Sequence, residues 1–135
     1  MCRSIVAVSI LMVSGVVCAQ DAAEYQTWMK TAGATSGSLR KNLEAKNAEG
    51  AAADAKTLEE TFSHVHDFWM EKKVDKAMKF AMDAGSGFAE VGKLASASKF
   101  DEASAALKST QANCGGCHSA YREKAPDGTW KIKTE

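Results

Sequence analysis

Residues 100–121 read FDEASAALKSTQANCGGCHSAY, and within them Phe100, Ala103, Leu107, Thr110, Cys114, Cys117 and Tyr121 recur at alternating steps of three and four. That rhythm puts all seven on one stripe of an α-helix, the stripe that faces neighbouring helices. The two cysteines belong to the stripe rather than interrupting it. Three upstream stretches repeat the pattern: Tyr25, Met29, Ala32, Ser36, Leu39, Leu43; then Ala51, Ala55, Leu58, Phe62, Val65, Trp69; then Val74, Ala77, Ala81, Ala84, Phe88, Val91, Ala95. Four consecutive helices of about 20 residues with short links predict antiparallel neighbours, an all-α, up-down-up-down four-helix bundle.

Breaks are expected at Asn47 to Gly50, around Lys72-Lys73, and at Ser96 to Lys99. Ser98-Lys99-Phe100-Asp101 fits a capping box opening the last helix, and Pro126-Asp127-Gly128 reads as the turn that closes it. No strand signal appears except in the tail, Thr129 to Lys133, where Trp130 and Ile132 are expected to lie extended along the bundle surface.

The 135 residues are 45% hydrophobic and 25% charged, a folded composition with room for one ordinary domain. The single proline, Pro126, leaves everything upstream open to uninterrupted helix. Arg3, the apolar run Ile5 to Val17 and the small-residue end Cys18-Ala19 have the three parts of a secretory signal peptide over residues 1–19. The run is too short for a hydrocarbon core that needs about 20 residues, so no stable membrane insertion is expected once the signal is removed. Cleavage after Ala19 makes Gln20 the first mature residue and removes Cys2 and Cys18; the alternative is a lipoprotein acylated at Cys18. The mature chain then carries 16 Lys plus Arg against 17 Asp plus Glu, close to neutral. No basic stripe or arm supports nucleic-acid binding.

Cys114-Gly115-Gly116-Cys117-His118 is the C-x-x-C-H pattern of covalent haem attachment. On a helix, positions i, i+3 and i+4 share a face. Two thiols there each add to a haem vinyl group, and the adjacent imidazole reaches the iron from one side. Gly115 and Gly116 keep the intervening turn free of side chains. A thioredoxin-like pair calls for a preceding strand, and a structural zinc site for further ligands at suitable spacing. His64 and His66, two apart on a helix, are poorly placed to supply them. A plain disulfide stays open but leaves His118 without a role.

At these residues the chain resembles the cytochrome c′ family, the class II c-type cytochromes, which carry a C-terminal C-x-x-C-H on the last helix of a four-helix bundle. The resemblance covers nearly all of residues 20–135, from Tyr25 to Leu39 at the front to the run Cys114 to Lys124 at the back. It implies a single haem c near the end of the last helix, and a basic residue four beyond the histidine at the haem edge, here Arg122. Family members divide by what faces the other side of the iron: an apolar residue in five-coordinate, gas-binding members, a methionine early in the first helix in low-spin ones. Tyr25-Gln26-Thr27-Trp28-Met29-Lys30 is similar to the second pattern, with Met29 at the methionine and Tyr25 where many members have a basic residue.

Bundle topology leads to the same residue, because the end of the fourth helix is level with the start of the first. Met29 also lies on the inward stripe, where the competing role is core packing. Met78 and Met82 share that height but flank their stripe, and His64 and His66 read as solvated. Gly33, Ser36 and Gly37 make a small-residue strip that would admit the haem or a second subunit, a homodimer. The expected function is an exported, periplasmic one-electron carrier working with redox partner proteins, its iron ligated by His118 and Met29. The alternative is a five-coordinate NO- or CO-binding protein. No distal acid-base pair points to a peroxidase or other enzyme.

Overall fold

A computed structural model describes the backbone of residues 5–134 and the side-chain surroundings of residues 22–134. The signal peptide expected over residues 1–19 thus lies outside the residues whose side chains are described. The elements are α1 (Ile5–Glu44), α2 (Ala48–Glu71), α3 (Asp75–Ser96), α4 (Phe100–Tyr121), β1 (Arg122–Lys124) and β2 (Trp130–Ile132). Among the described residues no helix is long and apolar enough to cross a membrane.

The four stripes meet as the core. Trp69, Phe88, Leu39, Leu58 and Val91 are fully buried at its centre, each contributing roughly 1.5–3 kcal/mol of apolar burial. Two glycines of α3 let it pack closely on both neighbours: a Cβ at Gly92 would sit 3.1 Å from that of Ala55, and one at Gly87 would collide with the Thr110 side chain. Thr61 and Thr110, the two buried polar residues, donate their hydroxyls to the carbonyls of Thr57 and Ala106 at 2.7 and 2.8 Å, so neither is left unpaired. By contrast α1 and α4 touch only sparsely. Along α4 the stripe is buried from Ala103 through Thr110 and only half-buried from Cys114 onward. The bundle is therefore tight around α3 and splayed between its first and last helices.

All three interhelical links are the same object. Lys46, Lys73 and Ser98 adopt left-handed backbone, with φ of 56°, 57° and 59°. In each case that residue's N–H bonds the carbonyl three back, and the next N–H reaches five back: Asn47 to Asn42 at 2.8 Å, Val74 to Trp69 at 3.2 Å, Lys99 to Leu94 at 2.9 Å. This is the Schellman closure, built here without glycine, and the next helix starts immediately after it.

Two expected boundaries change in consequence. The first break does not extend to Gly50, which already lies in α2; Asn47 is the N-cap, its Oδ1 accepting from the Gly50 N–H at 3.0 Å. Glycine fits there because a Cβ would fall 2.6 Å from Asn47 Nδ2. Nor does Ser98 open α4 as a capping box. Its left-handed backbone closes α3, and Lys99 stands at the N-cap with no side-chain capping bond.

The last helix also ends earlier than the proline turn. Arg122 turns extended (φ −127°, ψ 135°) and starts a two-stranded antiparallel hairpin that pairs Arg122 with Ile132, Glu123 with Lys131 and Lys124 with Trp130. Pro126-Asp127-Gly128 is its turn, with Asp127 Oδ1 accepting from the Thr129 N–H and hydroxyl and Gly128 at φ 85°. The Lys133 N–H donates to the Tyr121 carbonyl at 2.8 Å, tying the hairpin back to the end of α4. The extended tail expected from Trp130 and Ile132 is thus one strand of a pair.

Candidate cofactor site between the first and last helices

Where α1 and α4 part, they leave a cavity of about 680 Å³, within the range that holds cofactors and other ligands. Cys114, Cys117 and His118 line it from α4, and Met29 lines it from α1. The helical repeat explains the α4 side, since 114, 117 and 118 are i, i+3 and i+4. Phe62, Val65 and Phe80 form part of the apolar wall, and Tyr121, Trp130 and Ile132 close the end nearest the hairpin. Met78, Met82, His64 and His66 do not line it. Met82 is exposed, His64 stacks on Trp28 with centroids 5.4 Å apart, and His66 Nδ1 lies 3.4 Å from Asp67 Oδ1.

Cys114 and Cys117 are free thiols. Burial pushes both upward, Cys117 to about 11 with a further contribution from Cys114 beside it, so both are protonated at neutral pH. His118 is pushed the other way, first by burial and then by the Arg122 cation. Its imidazole is held neutral at pH 7, the form with a lone pair to give a metal. Arg122 acts from a different backbone position than a continued helix would provide: its guanidinium lies over the Trp130 ring, 3.9 Å from the centroid. The hairpin thus holds the charge beside His118.

The two glycines of the motif are not equivalent. A Cβ on Gly115 would meet nothing within 4 Å, whereas one on Gly116 would lie 2.7 Å from Phe80 Cε1. Only Gly116 is there for space, and what it admits is the Phe80 ring. Of the small strip on α1, Gly33 and Ser36 line the cavity. Tyr25, also lining it, accepts a hydrogen bond from Trp69 Nε1 at 3.2 Å and is raised to about 12, chiefly by burial.

Four cations line the same groove, Lys30, Arg40, Arg122 and Lys131, and no carboxylate does. Sequence reading picked out only Arg122 among them. A signal for two others exists on α1: Gln26, Lys30, Gly33, Gly37 and Arg40 run at steps of three and four beside the apolar stripe. Lys131 arrives through the hairpin and had no such signal.

This donor set suits haem. Among the described residues no three His, Cys, Asp or Glu converge to hold a bare metal ion. What the groove offers is one imidazole and one thioether from different helices, two thiols one turn apart, aromatic walls and cations for carboxylates. Those are the needs of a flat, anionic macrocycle that brings its own equatorial ligands. No family model, curated protein or solved structure matches the chain.

Proposed function

We propose that the mature chain is an exported one-electron carrier with one haem c, tied through Cys114 and Cys117 and ligated by His118 and Met29. The observation that carries this reading is that Met29, alone among Met29, Met78, Met82, His64 and His66, lines the groove that also holds the attachment motif. Bound there, the haem supplies reversible one-electron iron chemistry, and a thioether ligand favours a higher potential than bis-histidine.

The chain's own contributions follow from the geometry. Cys114 and Cys117, one turn apart on α4, would hold the group to that helix at two points. His118, neutral through burial and the Arg122 charge, presents its lone pair. Met29 comes from a separate helix across the groove, so any thioether ligation by it would depend on the bundle being assembled. Phe62, Val65 and Phe80 keep water from the walls, and the four cations suit the two haem carboxylates.

Optical spectra of the wild type and Met29→Ala test the reading. The wild type is expected to be low-spin with a sulfur-to-iron charge-transfer band and to bind CO slowly. Met29→Ala should keep the covalent haem, turn toward high-spin and bind CO quickly. A wild type that is already high-spin and rapid with CO would make the protein a gas binder and Met29 a packing residue.

A further inference from the structure

Lys30, Arg40, Arg122 and Lys131 are all exposed at the groove, and none takes part in an ion pair among the described residues. Whole-chain charge conceals this concentration. From Gln20 onward there are 16 Lys plus Arg and 17 Asp plus Glu; apart from these four, 12 cations face 17 carboxylates. A positive groove therefore sits on a negative body. Two haem carboxylates offset at most two of the four charges, so on the carrier reading the exposed haem edge stays net positive.

Charge separated in this way steers and orients partners, because a local patch dominates within a screening length of about 10 Å at 0.1 M salt. The hairpin supplies the rest of a contact face. Trp130 is 47% exposed at the groove and carries Arg122 over its ring, an aromatic and an arginine together, the residue types enriched where proteins dock. We infer that the α1/α4 groove and hairpin form the docking face for an acidic one-electron protein. One electron passes between the haem iron and the partner's metal or flavin in either direction, with no atom transferred. The inference rests on the carrier reading.

The test is stopped-flow oxidation of the reduced holoprotein by a cupredoxin of strongly negative net charge. The second-order rate should fall on the order of tenfold or more between low and high salt, although the carrier's own chain is slightly negative overall. Lys30→Glu and Lys131→Glu, both exposed and expected to melt like wild type, should slow the reaction at low salt and flatten its salt dependence. Lys93→Glu, on the α2/α3 face, should not. A rate that is flat or rises with salt, or groove variants that behave like Lys93→Glu, would overturn the docking face. So would tighter binding to phosphatidylglycerol vesicles than to the cupredoxin, lost in the same variants, since the occupant would then be a membrane. A purified protein without haem absorbance would remove the carrier reading and the docking face together, whereas a haem-bearing protein with no salt response removes the docking face alone.

Discussion

Gly115 and Gly116 are adjacent, both helical and both inside the Cys114–His118 motif, yet alanine should act on them with opposite sign. Alanine in place of helical glycine gains about 1 kcal/mol from backbone propensity. At Gly115 the new methyl meets nothing within 4 Å, so the gain is kept, worth about 4 °C in a domain of this size. At Gly116 the methyl would lie 2.7 Å from Phe80 Cε1 and 3.0 Å from Cζ. The half-buried ring must retreat into the groove by roughly 0.7 Å or more to restore ordinary contact, and such overpacking costs about 1–3 kcal/mol. Net of the propensity gain, Gly116→Ala is destabilising by up to about 2 kcal/mol. Thermal melts of both holoproteins, followed by far-UV circular dichroism and by the Soret region, measure this. Gly115→Ala should raise Tm and leave the Soret signal unchanged; Gly116→Ala should lower Tm and perturb that signal through Phe80. Equal rises in Tm with unaltered Soret signals would refute the packing of Phe80 against the motif.

Ser98→Gly should stabilise by about 0.5–1 kcal/mol in urea melts, because it relieves a left-handed residue that carries a Cβ (φ 59°); a loss of stability would show that the serine side chain matters more than the backbone. Tyr25, raised to about 12 chiefly by burial with the Trp69 bond acting against it, stays protonated in the fold while the unfolded phenol ionises near 10. The unfolded state then binds fewer protons, so roughly 2–3 kcal/mol of stability is lost as pH rises from 10 to 12. Tyr25→Phe should lack that excess alkaline loss and cost about 1 kcal/mol at pH 7 through the unpaired Trp69 N–H; identical alkaline slopes would contradict it. Trp130→Ala should free Arg122 from its place near His118 and lower the reduction potential, since a nearby cation favours the less positive ferrous iron, while Trp130→Phe should largely retain it. An unchanged potential in Trp130→Ala would mean the ring does not position the charge.

The bundle was legible because burial on a helix leaves a strict trace: nearly every residue on the four stripes through Thr110 is buried. What escaped was mostly local. Ser98 looks like a cap because serine often is one, but the closure it takes part in is set by backbone bonds to Ala95 and Leu94, available to many side chains. The same holds for Lys46 and Lys73, whose identity gives no hint of left-handed backbone. Strands of three residues, Arg122–Lys124 and Trp130–Ile132, are too short for alternation to register, so the hairpin was visible only as an extended tail. At the site, Cys114, Cys117, His118 and Met29 could be brought together from periodicity and topology. Phe80 could not, because it lies beside its stripe, between Ala77 and Ala81, and reaches the motif only through the space left at Gly116.

Covalent haem at Cys114 and Cys117 is tested most directly by the intact mass of the purified protein after acid-acetone extraction. Haem held only by His118 and Met29 would be stripped by this treatment, whereas thioether-linked haem would remain. The expected mass is that of the chain from Gln20 plus one haem. The mass of the bare chain, or of that chain less two hydrogens as for a Cys114–Cys117 disulfide, would contradict it.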